Sequence, residues 1–258
     1  MQKFYLVASP LEQFEVTAFI QANAPILGAQ NFNLSLTNLG FYCLLTLFIC
    51  ISLHVLANNY LKLVPNKWSV AFESSYDSLH TMVKEQIGSH GEIYLPFIYS
   101  LFWFILISNL IGNVPYSFCV GTSAIVSLGL SFTIWIGVTL LGLQRHKLHF
   151  FSYFVPAGTP IALVPLLVLI ELISYIARAF SLGVRLFANL VAGHTLLKIL
   201  SGFLYPMLTS GILLFFVALI PVTIFTALIG LEIAVSVIQA YVFTILTCIY
   251  IKDALDLH

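Results

Sequence analysis

Two apolar blocks in this chain are each about twice as long as a membrane-crossing helix needs to be. Ile161 to Leu200 keeps helical apolar patterning for about forty residues, and Met207 to Ile251 does the same with no polar loop dividing it. At 1.5 Å per residue, forty residues of helix reach roughly 60 Å, against a hydrocarbon core of ~30 Å. Cutting either block into two ordinary spans would place a chain reversal in hydrocarbon, where unpaired backbone groups are costly. The pattern therefore predicts an antiparallel hairpin of two long, steeply tilted helices. Ser201-Gly202 and Pro206 are the expected turn, and Pro221 and Gly230 are places where the second helix can bend.

Composition fixes the surroundings. Sixty per cent of the residues are hydrophobic and 8% charged, with mean hydropathy +1.02. A soluble domain carries about 25% charged residues, so the chain is expected to be an integral membrane protein in contact with the lipid bilayer. Net charge is zero, which gives no electrostatic case for nucleic acid. Cys43, Cys50, Cys119 and Cys248 all lie in apolar segments without a CxxC pair and read as buried reduced thiols.

Ahead of the hairpin, three blocks have ordinary spanning length: 39–57, 94–112 and 119–143. Between the first two, Asn58 to Glu92 holds seven of the twenty formal charges. There Trp68, Phe72, Tyr76, Leu79 and Val83 recur every three or four residues, which predicts an amphipathic surface helix over 66–90. The expectation is a single all-α membrane domain over 1–258, with the hairpin at 161–200 and 207–251. Five crossings put Lys62, Lys67, Lys84, Arg145, Lys147 and Lys252 on one side, with only Lys3 and Lys198 on the other. The positive-inside rule then turns the N-terminus outward and the C-terminus inward. The first thirty residues hold acids and prolines rather than the apolar core of a cleavable secretory signal.

Charges inside the hairpin are the candidate functional residues. Arg185 has no acidic residue within ten positions, and its neighbouring charges, Arg178 and Lys198, share its sign. A guanidinium cannot deprotonate in a protein, and at the centre of a membrane helix it costs roughly 3 kcal/mol on insertion scales. Glu171, Arg178 and Arg185 are spaced by seven, so they form one stripe, with Asn189 close to it. His194 is nine residues beyond Arg185, half a turn away and about 13 Å along the axis. In the second long helix Glu232 and Gln239 are seven apart, and Asp253 follows fourteen later. Asn109 joins Asn113 at the end of the second ordinary span. Read singly, Gln239 and the asparagines serve as helix cross-links, His194 as a satisfied imidazole and Asp253 as a terminal charge. Together, Glu171, Arg178, Arg185 and Glu232 suit either an ion or proton path or a structural ion-pair network. Ala177, Gly183, Ala188, Ala192 and Gly193 thin the helix around Arg185 and allow close approach of another helix.

The run Ser181-Leu182-Gly183-Val184-Arg185-Leu186-Phe187-Ala188-Asn189, followed by Ala192-Gly193-His194, resembles the signature of F-type ATP synthase subunit a in its mitochondrial form. Also similar are Ser108-Asn109-Leu110-Ile111-Gly112, Pro115-Tyr116-Ser117-Phe118, Phe154-Val155-Pro156-Ala157-Gly158-Thr159-Pro160 and Tyr250-Ile251-Lys252-Asp253-Ala254, so the likeness covers essentially the whole chain. It implies a non-catalytic stator subunit of the mitochondrial inner membrane. The partners it implies are a rotating c-subunit ring, other membrane and peripheral-stalk subunits, and protons. Arg185 would face the ring's carboxylates. Glu232, His194, Gln239, Asn109 and Asn189 would line an outer half-channel, Glu171 and Asp253 an inner one, and Arg178 would support them. No cofactor is implied, and no GxxxxGK[ST] nucleotide loop occurs. Two rival classes remain at this point. A haem electron carrier would use His54 and His194, which lie at different expected depths. A secondary transporter would show internal repeats, and none is visible.

Overall fold

The structure, a computed structural model, describes residues 9, 11–20, 23–26, 29–33, 35–57, 65–115, 117–154, 163–209 and 211–255. Six α-helices carry it: α1 (Asn38–Ala57), α2 (Lys67–Ile87), α3 (Leu95–Gly112), α4 (Ala124–His146), α5 (Val164–Thr209) and α6 (Ile212–Leu255). All but α2 are long and apolar enough to cross a membrane. The chain is an all-α membrane protein. Lys3, Lys62, the Val155–Pro160 stretch and the expected hairpin start at Ile161 lie outside the described residues.

Two small features precede α1 that periodicity does not reveal. Strand β1 (Ala18–Ile20) pairs antiparallel with β4 (Leu36–Thr37), and β2 (Asn23–Ile26) pairs with β3 (Ala29–Asn33). Strands this short give too few residues for an alternating pattern to stand out.

Helix α2 differs from the others because its charges leave only part of its surface apolar. Leu79, Met82, Val83 and Ile87, in its C-terminal half, are buried, and the helix packs on α3 and α6. Phe72 stacks on Trp103 of α3, with ring centroids 4.6 Å apart and planes 19° from parallel. Trp68 and Tyr76 stay exposed. The helix ends at Gly88, whose φ of 88° is a conformation that glycine tolerates and other residues rarely adopt.

The hairpin turns later than its sequence suggests. Helix α5 runs on through Ser201, Gly202 and Pro206 and stops at Thr209; the reversal lies between Thr209 and Ile212, where Gly211 has φ +147°. Pro206 removes one backbone hydrogen bond without ending the helix, whereas the positive φ at Gly211 is a conformation that glycine adopts readily and other residues do not.

Helix α6 sits at the centre and packs on α2, α3, α4 and α5. Phe243, Ala240 and Cys248 are fully buried there. Thr244 and Thr247 satisfy their hydroxyls by donating to the carbonyls of Ala240 and Phe243, one turn back. Helices α4 and α5 cross closely through small residues. The Ser131 hydroxyl donates to the Ala179 carbonyl. A methyl group added at Gly183 would lie 3.0 Å from Leu128 Cα and 3.1 Å from the Ser127 carbonyl oxygen. Those are backbone atoms and cannot swing aside. Gly183→Val should therefore force α4 and α5 apart and destabilise the subunit by about 1–3 kcal/mol. Thermal unfolding of the purified complex checks this, with Gly137→Val, a site open to space, as the control that should change little.

Candidate functional site

The polar side chains of the hairpin separate into two clusters with Arg185 between them. The first lies towards the start of α5 and the end of α6. Arg178 Nη1 reaches Asp253 Oδ2 at 3.1 Å and Arg178 Nη2 reaches Glu171 Oε1 at 3.7 Å. The seven-residue spacing of Glu171 and Arg178 brings both to one face of α5, and the antiparallel turn brings Asp253 opposite. Each of the three side chains is about one-third exposed. Beside them is a small cavity of about 20 Å³, lined by Trp135, Phe150, Tyr175 and Tyr250 as well as Arg178 and Asp253. That is room for about one water.

The second cluster lies further along α5. His194 Nδ1 is 3.0 Å from Glu232 Oε1, with side chains 13% and 9% exposed. It is an ion-pair contact when the imidazole is protonated. The approach depends on Gly193, where a methyl group would lie 2.9 Å from Glu232 Oε1. One turn along α6, Asn109 Nδ2 reaches the Ser236 carbonyl at 3.5 Å, and two turns along, Asn189 Nδ2 donates to Gln239 Oε1 at 3.1 Å. Asn113 Nδ2 donates to Ser236 Oγ at 3.1 Å, and that hydroxyl donates to the Glu232 carbonyl at 2.9 Å.

Ser236 is thus a member of the cluster that residue type alone did not single out. Its signal was position: four residues after Glu232 and three before Gln239, it shares their face of α6. Buried polar atoms here remain without a hydrogen-bond partner among the described residues: His194 Nε2, Glu232 Oε1, Gln239 Nε2 and Asn113 Oδ1. Burying such atoms dry is costly, so they favour a hydrated setting. Asn113, His194 and Glu232 all line a cleft of about 780 Å³, ample for water.

Arg185 joins neither cluster. It is exposed and makes no ion pair or side-chain hydrogen bond among the described residues. It sits about 10 Å along the axis from Arg178 and about 6 Å from Asn189. On one side of it are exposed Val184 and Ala188, and behind it buried Leu182, Gly183 and Leu186 pack towards the bundle. The structure thus brings Glu171, Arg178 and Asp253 together, and separately brings together His194, Glu232, Asn189, Gln239 and Asn109. Arg185 is left facing outward.

His54 has no part in either group. Its Nδ1 lies 2.7 Å from the Cys50 carbonyl and its Nε2 lies 3.1 Å from the Tyr99 hydroxyl, so both ring nitrogens are engaged. That arrangement does not suit the axial haem ligand considered from sequence. Among the described residues no three His, Cys, Asp or Glu side chains gather as a metal site.

Five membrane-length helices with an internal polar seam and an outward-facing arginine between its two clusters define a multi-pass membrane protein that handles charge within the bilayer. Comparison with known proteins is specific. The family model described as ATP synthase A chain matches residues 40–252. ATP synthase subunit a of Mycosarcoma maydis is 63% identical over 254 residues, covering 98% of this chain and 99% of that one. The subunit a proteins of Emericella nidulans (52%) and Brassica napus (48%) align over the full length of both chains. The chain belongs to the ATP synthase subunit a family. It is accordingly a non-catalytic, proton-translocating, multi-pass inner-membrane subunit that works with the c-ring and the other subunits of the enzyme.

The Arg178 cluster generates a test of its own. Removing the guanidinium leaves two carboxylates facing each other without a counter-charge. Arg178→Gln should lower stability, and Asp253→Asn in the same chain should recover part of the loss. The coupling expected from a double-mutant cycle on thermal stability is about 1 kcal/mol.

Proposed function

We propose that this subunit provides two offset half-channels for protons, one ending on the His194–Glu232 cluster and the other on Glu171 and Asp253, and that Arg185 separates them. The single observation that carries this reading is the placement of Arg185: a permanent cation, exposed and unpaired among the described residues, between two polar clusters that are internally paired.

A cation in that position needs a counter-ion from outside the chain, and a mid-membrane carboxylate on the c-ring is of the right charge. Arg185 favours the ionised form of the carboxylate in front of it, so a ring carboxylate releases its proton on approach and takes one up after leaving. The same charge repels hydronium and so resists a direct leak between the clusters. A lysine could neutralise and would lose both effects.

In the first half-channel, Glu232 is the proton-accepting group and His194 its partner. Gln239, Asn189 and Asn109 supply hydrogen bonds along the way. In the second, Glu171 and Asp253 receive protons released by the ring, and Arg178 holds the two carboxylates in place and offsets their repulsion. The seam fits the lengths of the helices: a long tilted hairpin offers contact to several ring subunits at once. The domain reading is a single membrane unit over 1–258. By the positive-inside rule, the basic residues of the loops favour an N-terminus towards the intermembrane space and a C-terminus towards the matrix of the mitochondrial inner membrane.

Two substitutions test the assignment in the assembled enzyme. Arg185→Ala should abolish proton-driven ATP synthesis while the complex still assembles; retained synthesis refutes the role of Arg185. Glu232→Gln should slow proton uptake from the intermembrane-space side at least tenfold, about 1.4 kcal/mol in barrier. Proton flux measured in reconstituted vesicles reads this, and an unchanged rate removes Glu232 from the path.

A further inference from the structure

The cleft that ends on His194 and Glu232 has one wall from a distant part of the chain. Gln13 and Thr17, from the segment ahead of α1, line it together with Asn38 and Lys198. That segment is fixed at two points. At the first, the Asn38 side chain accepts from the backbone N–H of Thr17 at 3.2 Å and of Leu39 at 2.8 Å, and donates to the Glu15 carbonyl at 3.0 Å. The Asn38 backbone N–H adds a bond to the Thr17 carbonyl at 2.9 Å. At the second, Lys198 Nζ reaches the Ser9 carbonyl at 3.5 Å. Lys198 lies one helical turn beyond His194, on the same face of α5.

Two further observations give the wall a chemical character. Gln13 Nε2 is buried with no protein partner among the described residues, as are Asn113 Oδ1 and His194 Nε2, the atoms of lining residues deeper in the same cleft. A wall with such atoms faces water more readily than lipid tails. Lys198 is the one lysine or arginine among the described residues that line the cleft.

We propose that the segment Leu11–Thr17 is a wall of the cleft's mouth, that Asn38 is the residue that positions it, and that the Lys198 ammonium makes the mouth unfavourable to free cations. The substrate, the proton, comes from the half-channel reading; the wall and its charge stand on the geometry above. A metal cation must carry its whole charge past the ammonium. A proton relayed along hydrogen-bonded groups carries the same charge past it, and is told from a metal cation only where Glu232 binds it covalently. Screening confines the effect of Lys198 to about 8 Å at physiological salt, which is the scale of the mouth itself.

The test uses the assembled ATP synthase in membranes, with Leu197→Cys as a reporter inside the cleft. Labelling rates are measured with an anionic and a cationic methanethiosulfonate of similar size, and the chain without Leu197→Cys gives the background from the native cysteines. The anionic reagent should react several-fold faster than the cationic one, and Lys198→Gln should bring the ratio close to one. An unchanged ratio overturns the assignment of Lys198. Asn38→Ala should speed both reagents alike, and Asn38→Asp, which keeps both accepted bonds, loses the donated one and adds a charge, should give an intermediate rate with a neutral methanethiosulfonate. Rates equal to the parent in both Asn38 variants overturn the wall. If Asn38→Ala fails to assemble, Asn38→Asp alone decides: a faster rate supports the wall and an equal one removes it. Labelling needs no proton flux, so normal conduction by Glu232→Gln would remove the proton reading and leave these rates as they are.

Discussion

Every charged or polar group carried into a bilayer by a helix must be matched there, and the α5–α6 hairpin is organised by how it meets that requirement. Arg178 is matched twice, by Glu171 on its own helix and by Asp253 on the next. Glu232 is matched by His194 across the helix pair. Asn189 and Gln239 match each other. These pairs fix the register of one long helix against the other at two heights. They also leave Arg185 as the one hairpin arginine without an ion pair among the described residues.

Close packing serves the same end. Gly183 lets α4 approach the back of α5, so the face opposite stays free around Arg185. Gly193 does the corresponding job one cluster further on, where Glu232 comes against the α5 backbone. Between them, small residues decide which polar groups meet across the hairpin and which face outward. The central position of α6, with α2, α3, α4 and α5 around it, gives the seam a rigid support on its inner side.

Much of this was legible in the sequence because apolar length and seven-residue spacing are local signals. Five long apolar blocks gave the all-α membrane class, and the mixed stretch around Leu79 and Val83 gave the amphipathic helix. The stripe of Glu171, Arg178 and Arg185 was readable from helical geometry alone. What remained hidden was long-range or depended on competition between local terms. The partners of Asn109 and Asn113 on Ser236 are more than a hundred residues away in sequence. The position of the hairpin turn is hidden because Ser201-Gly202 and Pro206 look like breakers, yet one proline removes a single hydrogen bond and the helix continues to Thr209, ahead of the positive φ of Gly211. The clamp of the segment before α1 on Asn38 consists of individual hydrogen bonds, which leave no periodic trace.

The division of charge between the two long helices has a consequence for how the protein is made. Within the seam, α5 carries Glu171, Arg178 and Arg185, one negative and two positive charges, and gains a third positive charge when His194 is protonated. Within the seam α6 carries Glu232 and Asp253, two negative charges; Lys252 on α6 and Lys198 on α5 each add a positive charge outside it. Neither helix is electrically neutral along this face by itself, whereas the pair reaches neutrality when His194 is protonated and the acids are ionised. Inserted singly, each would bring its seam charges into hydrocarbon unpaired; inserted as a pair, all but Arg185 arrive with a partner. Pairing of the seam charges therefore favours integration of the hairpin as a unit.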